Sequence, residues 1–391
     1  MAAISFDDIE ITDDQRLDVS ARVTHEGGEQ THHLWFETNA SMLWDLDRVA
    51  IALSTLCGRA YEQVHFDLPL QRETRDRLVA FTQAEVTCHS HPTADGCTAQ
   101  SGAVLNFSGG FDSLAALALM PEDTHLVSLD FGGRFSRERA YYQRFEPTII
   151  STNLTETPLR ANSWSFMGIG AILTAAHHHA RYMTFGSILE AGVDNMRTTP
   201  VSTTSGTFPP FAAAGYTNAP YVAGLTEIGT VIALAHYMPE QIPASLTSLA
   251  SPGEEKLYRK YLLTKVVANR LDTPATAAPE IQAPGAPHYQ WGQNFATDFL
   301  SLYVAKHAGP DARDTMVSDT PPEVDAAVAD LTLTFFEKAN TTVYQAMPTP
   351  LLGGLVEKLT DAGIGLYTES DWDEYRAVRQ LLAPYYPAVL S

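Results

Sequence analysis

The residues best suited to chemistry stand together in "FSGGFDS", 107–113, between the apolar run "AVLNF" and a second apolar run of helical spacing, "DSLAALALM". Gly109 and Gly110 allow positive φ and let a ligand approach the backbone of Ser108 to Phe111 with no side chain in the way. Successive N–H groups in such a turn form an anion-binding nest, and a following helix aims its positive end at the same place. Ser108 and Ser113 add hydroxyl donors. Asp112 repels a bare phosphate but suits Mg²⁺ placed between carboxylate and phosphate. The block also reads as a glycine-rich turn with an aspartate where helix starts favour one. Four specified residue types in a strand–helix context favour phosphate binding. A Walker A loop is excluded, because GxxxxGK[ST] does not occur.

Further candidates follow along the chain. Asp130 ends an apolar run and reads either as an acidic contact near metal or nucleotide, or as a turn aspartate. Gly132 and Gly133 either bring the chain close to a nucleotide or make a turn. Arg134 and Arg160 offer guanidinium groups that match phosphate oxygens in pairs, although arginines are most often plain surface residues. Lys256, Lys260 and Lys265 stand out in a lysine-poor chain. One of them, with Lys256 placed among the catalytic candidates, would meet charge on a leaving group; a basic helix face is the slightly preferred alternative. Gly186 and Ser187 end an expected strand, where open α/β sheets bind ligands. Glu190, Asp194 and Glu227 are substrate-contact candidates, with a solvated acidic turn the alternative for the first two. Cys88, His89, His91 and Cys97 match no zinc template, so zinc is not expected. His177, His178 and His179 are consecutive and point to different helix faces.

These groups need a scaffold. Strands are expected at "DQRLDVSARVT" and "QTHHLWFETN", a hairpin across "HEGGE", and at "YEQVHFDLPL". Helices are expected over "SMLWDLDRVAIALSTLCGRA", capped by Ser41, and over "QRETRDRLVAFTQ". From residue 103 the pattern alternates strand and helix, which argues for a parallel sheet covered on both faces. The expected fold is α/β. Residues 1–100 form an N-terminal α+β unit, 101–271 a nucleotide-binding domain, 272–288 a Pro/Ala-rich linker and 289–391 a mainly helical region. A capping box is expected from Ser370 to Asp373.

The chain has 391 residues and 46 acidic against 25 basic side chains, a formal charge of -21. Such a surface repels phosphate backbones at long range and argues against nucleic-acid binding. Three cysteines make no disulfide framework and fit a reducing, cytoplasmic setting. The acidic N-terminus has no apolar leader, and no run approaches the roughly 18 apolar residues of a membrane span.

The "SGGFDS" block resembles the PP-loop of the N-type ATP pyrophosphatases, over roughly residues 103–270. Within them, "SLDFGGRFSRERA", "PLRANSWSFMGIGAILTAAHHHA", "MTFGSILEAGVDN" and "PYVAGLTEIGTVIALA" are similar to 7-cyano-7-deazaguanine synthases. The chain departs from those synthases in lacking their four-cysteine zinc site, since no cysteine follows Cys97. The resemblance implies the PP-loop fold, ATP and Mg²⁺ as cofactors, and cleavage of ATP between its α- and β-phosphates. The product would be a C–N bond on an adenylated carboxylate or amide, a 7-deazaguanine-type acid among the candidates. Ser108 to Ser113, Asp130, Gly132 and Gly186 would hold ATP or pyrophosphate, with Asp112 on Mg²⁺. Asp112, Arg134, Arg160 and Lys256 would be catalytic, and Ser187, Glu190, Asp194 and Glu227 would face the substrate. Met1 is followed by no cysteine for a glutaminase, so ammonia or an amine is the expected nitrogen donor. A partner protein as acceptor, an ATP- or AMP-sensing module without turnover, and a homo-oligomer stay open.

Overall fold

The computed structural model of the protein describes residues 2–90, 101–196, 206–249, 253–271 and 280–390. Its principal strands are β1 (Ala3–Thr12), β2 (Arg16–His25), β3 (Gly28–Thr38), β4 (Gln63–Leu70), β5 (Glu85–Ser90), β6 (Ser101–Asn106), β7 (His125–Asp130), β8 (Thr148–Thr152), β9 (Ala180–Thr184) and β10 (Thr217–Asn218). The helices are α1 (Leu46–Ser54), α2 (Arg72–Thr82), α3 (Phe111–Leu119), α4 (Ser136–Tyr142), α5 (Ile169–His178), α6 (Pro209–Ala213), α7 (Glu227–Tyr237), α8 (Ile242–Leu249), α9 (Glu255–Leu271) and α10 (Phe295–Ala308). They continue as α11 (Pro310–Arg313), α12 (Pro322–Asp330), α13 (Thr349–Asp361) and α14 (Glu369–Leu382). No described helix is long and apolar enough to cross a membrane.

The elements fall into two compact units built from non-contiguous segments. The first comprises Met1–Ser108, Glu122–Thr184 and Thr207–Asn218, and it holds one sheet in the order β10-β9-β6-β7-β8-β3-β2-β1-β4-β5. β10, β9, β6, β7 and β8 run parallel, β3 is antiparallel to β8, β2 to β3 and β1 to β2, and β1, β4 and β5 are parallel to one another, opposite in direction to the first block. The fold is therefore α/β with a large, mostly parallel sheet. Ala103, Val104 and Leu105 are all buried, as an interior parallel strand requires, whereas β4 alternates buried and more exposed positions. α5 lies over β6 and β7. At Gly170 a Cβ would sit 3.0 Å from Val127 and 3.2 Å from Leu129, so glycine lets α5 approach the sheet.

The N-terminal residues are not a separate sheet. β3 pairs antiparallel with β8, Glu37 opposite Ser151. Two asparagines fasten that seam. Asn39 accepts from the Ile149 N–H at 2.8 Å and donates to the Pro147 carbonyl at 3.1 Å. Asn153 accepts from the Trp35 N–H at 3.1 Å and donates to the His33 carbonyl at 2.8 Å. β1 and β5 are strands that the sequence reading leaves out. The acidic residues of β1 interrupt its apolar pattern, and the sheet supplies its pairing on both sides. The helix expected from Ser41 begins later, because Asp45 caps it by accepting from the Arg48 N–H at 2.9 Å.

The second unit comprises Gly109–Pro121, Phe185–Gly206 and Ala219–Ser391. α3 packs on α7, and α9 packs on α7, α8 and α10. Phe299, Phe335, Phe336, Tyr303 and Tyr375 build an aromatic core. The expected helical character of residues 289–391 is seen, but they share this unit with α3 and α7–α9. The expected capping box sits two residues earlier, at Thr368 and Asp371. Of the expected linker, residues 272–279 lie outside the described residues.

β6 is followed by its neighbour β7 on one side, while β9 lies on the other side. The strand order thus switches between β6 and β9.

Candidate functional site

In the second unit the glycine block opens α3. Gly109 has φ +74, the left-handed conformation that favours glycine. Gly110 does not share it: at φ -75 and ψ 163 it is the extended N-cap of α3. The turn is pinned by Ser245 of α8, whose hydroxyl donates to the Gly109 carbonyl at 2.8 Å. Ser113 is buried and its hydroxyl donates back to the Gly110 carbonyl at 2.9 Å, so it serves the first helical turn. Gly186 is required by a close approach: a Cβ there would lie 2.6 Å from the Ser113 nitrogen and 2.8 Å from the Asp112 carbonyl carbon. The glycine block and the Gly186 turn therefore form one surface in this unit.

Asp112 stands in the first turn of α3 with its side chain 30% exposed. Lys260 of α9 reaches it from below, Nζ to Oδ1 3.1 Å, and lies 5.2 Å from the Phe111 ring centroid. The same ammonium pairs with Glu227 Oε1 at 2.7 Å. Glu227 also pairs with Arg259, which takes Glu255 through its Nε at 2.7 Å. Lys260 and Glu227 side chains are 2% and 3% exposed, so this pair is out of water. Burial works against the Lys260 charge, but Asp112 and Glu227 hold its pKa above the usual value. Burial likewise opposes the Glu227 charge, and Arg259 followed by Lys260 outweighs it, holding that carboxyl below the usual range.

Glu190 is buried beside them, in the turn Leu189–Ala191. Its Oε1 accepts from the Glu227 N–H at 2.6 Å, at the start of α7. Burial first, and the Glu227 charge second, push its pKa up to about 8. It is therefore a proton-bearing acid next to an ionised one, at neutral pH.

The structure distributes the other candidates. Asp130, in the first unit, is 4% exposed and fully engaged. Its Oδ1 accepts from the Gly132 N–H at 2.9 Å, and its Oδ2 takes Arg139 and the Ser151 hydroxyl. It thus shapes its own turn, where Gly132 and Gly133 both adopt positive φ with nothing near a Cβ. Ser108 and Arg160 are exposed residues of the first unit, and Ser187 is half-buried in the second. The side chains of Arg134 and Asp194 lie outside the described set, as do His91 and Cys97.

Among the lysines, Lys256 is exposed, and the one that meets Asp112 is Lys260. The reason is periodic: Leu257, Lys260, Tyr261 and Thr264 form the buried stripe of α9. Arg259, Glu255 and Ser245 are missed in the sequence reading, although Glu255 and Arg259 stand at i,i+4 spacing on a predicted helix. Among the described residues no group of three or more His, Cys, Asp or Glu is arranged to hold a metal. His89 pairs with Asp67 at 2.8 Å. His178 stacks on His125, and burial first, then His125 and His177, push its pKa down to about 4.

No family model, curated protein or solved structure matches the chain. The geometry defines an α/β protein with a large, mostly parallel sheet and, in its helical unit, a glycine turn at a helix start with a buried lysine against its aspartate.

Proposed function

We propose that the chain is a PP-loop-type, ATP-dependent ligase that forms a C–N bond and releases AMP and pyrophosphate. The observation that carries this reading is the Lys260 ammonium, buried beneath the glycine turn and 3.1 Å from Asp112 at the start of α3. A positive helix end, a left-handed glycine and a charge kept out of water together suit a polyphosphate.

The donor set fits the cofactor. Mg²⁺ binds through one or two carboxylates with the remaining positions filled by phosphate and water, and Asp112 offers a partly exposed carboxylate beside the turn. Held by Asp112, Mg²⁺ would neutralise phosphate charge. The chain's own groups do the rest. Gly109 and Gly110 open the backbone to the β- and γ-phosphates. Lys260 meets the charge that grows on pyrophosphate as the bond from the α-phosphorus to the bridging oxygen breaks. Glu227, itself paired with Arg259, holds that lysine beside the turn. A substrate carboxylate oxygen attacks the α-phosphorus and pyrophosphate leaves; ammonia or an amine then displaces AMP from the acyl carbon, losing its proton to solvent. With ammonia, a second ATP used in the same way on the amide oxygen would give the nitrile, that oxygen leaving on AMP and two protons passing to solvent. Positioning and charge stabilisation suffice, and no protein nucleophile is required. The acceptor class favoured by the sequence resemblance is a 7-deazaguanine-type acid in the cytoplasm.

The test is AMP and pyrophosphate by mass spectrometry, with ATP, Mg²⁺, ammonia and 7-carboxy-7-deazaguanine. AMP together with a deazaguanine amide or nitrile is expected, falling about 10²–10³-fold in Asp112→Ala and in Lys260→Met. ATP bound without AMP would replace the ligase with a sensing module. AMP that forms only when a partner protein is added would make that protein the acceptor.

A further inference from the structure

The Glu190 carboxyl is the buried group that the proposed chemistry leaves unused. It is 2% exposed, and its Oε2 has no hydrogen-bond partner among the described residues. An unmade hydrogen bond at a buried acid is costly, so its presence needs a reason. Its other oxygen holds the first N–H of α7. That residue's side chain, Glu227, shares Lys260 with Asp112. A continuous line thus runs from Glu190 through Glu227 and Lys260 to the mouth of the glycine turn.

We infer that Glu190 is a positioning residue for the anion site: it fixes Glu227, and the Glu190–Glu227 pair takes up a proton when a polyphosphate draws Lys260 away from Glu227. This rests on the glycine turn being a polyphosphate site. Lys260 has two carboxylate partners and one positive charge. An anion at the turn competes for that charge. Glu227 is then left with Arg259 alone, itself divided with Glu255. Extra negative charge beside two buried carboxyls raises the proton affinity of the pair, and protons are bound.

The groups around Glu190 leave it as the natural receiver. α7 presents Glu227, α3 presents Asp112, and α9 presents Arg259 and Lys260. Tyr367 lies near enough to feel the Glu190 charge, and burial first, then Tyr375, keep that phenol protonated. α10 packs on the same turn and carries Asp298, whose Oδ2 accepts from the Gly292 N–H at 2.6 Å and Tyr386 at 2.7 Å while its Oδ1 has no partner among the described residues; burial pushes its pKa up to about 6, below that of Glu190. Burial pushes the Glu190 pKa up to about 8, so at pH 8 its proton is in balance and a change in its surroundings is read as uptake.

The experiment is isothermal calorimetry of inorganic pyrophosphate binding at pH 8 in buffers of different ionisation enthalpy, on the full chain. Glu190→Gln is the comparison, because Gln keeps the acceptor for the Glu227 N–H, and the ligand's own titration cancels between the two proteins. Wild type is expected to take up roughly 0.3–0.5 more protons per pyrophosphate than the variant. Infrared difference spectra of wild type alone provide a second reading that needs no variant: the protonated-carboxyl band gains intensity on adding pyrophosphate. Binding with equal proton counts, or with no gain in that band, overturns the role of Glu190 and leaves the anion site standing. No pyrophosphate binding at all overturns both.

Discussion

Glu190 and Glu227 are one hydrogen bond apart, yet their proton affinities move in opposite directions. The difference is where the cations stand. Both side chains are buried, but only Glu227 has Arg259 and Lys260 against it. Stability follows from these directions. The raised pKa of Glu190 gives a contribution that is full below the ordinary carboxyl range and is lost as pH rises through about 8. The lowered pKa of Glu227 gives one that is present above the ordinary range and is lost as pH falls. Glu190→Gln removes the first effect alone. In urea unfolding, the variant is expected to gain about 1–3 kcal/mol on wild type between pH 5.5 and 8.5. An identical offset at both pH values would mean that Glu190 does not hold its proton in the folded protein.

At the scale of elements, α3 is held at both ends. Its start is fixed by Ser245 on the Gly109 carbonyl and by the close approach of Gly186. At its far end Lys358 of α13 donates to the Ala118 carbonyl at 2.9 Å and also to that of Met120. A helix so fixed presents its first turn in one place. Gly186→Ala puts a methyl where the α3 backbone already is, and backbone yields less readily than a side-chain tip. The expected cost is about 1–3 kcal/mol in denaturant titration, together with weaker pyrophosphate binding in calorimetry. A variant as stable as wild type with unchanged binding would show that the turn is not constrained there.

For the whole molecule, the informative feature is that one sheet gathers strands from the N-terminal hundred residues and from the parallel block after them. The seam between β3 and β8 is short, with Phe36, Glu37 and Thr38 opposite Thr152, Ser151 and Ile150. Asn39 and Asn153 extend it by side-chain hydrogen bonds to main chain. Asn39→Ala and Asn153→Ala are each expected to cost about 1–3 kcal/mol, because main-chain groups lose their partners. The sheet-bearing unit is expected to keep a single transition, followed by tryptophan fluorescence in a chain that keeps Trp35 and has Trp44, Trp164, Trp291 and Trp372 replaced by Phe. Two transitions in the variants would mean that the strands on either side of the seam unfold independently.

Periodicity and local chemistry made much of this legible in advance. The apolar runs of β6, β7 and β8, the hairpin of β2 and β3, and the helices α2, α7 and α9 follow from side-chain spacing. So does the glycine turn at the start of α3, because strand, small residues and helix are local signals. Gly186 is legible as a residue at a strand end and Glu190 as a substrate-contact candidate, without their contacts. Long-range pairing decided what remained. β1 and β5 exist because neighbours complete their ladders. The acidic residues of Glu227 and Asp112 meet one lysine because α3, α7 and α9 pack together, and only that packing selects Lys260 over Lys256. A proton on Glu190 and none on Glu227 is likewise a tertiary outcome, since desolvation and the placement of two cations are properties of the folded core and not of either residue's neighbours in sequence.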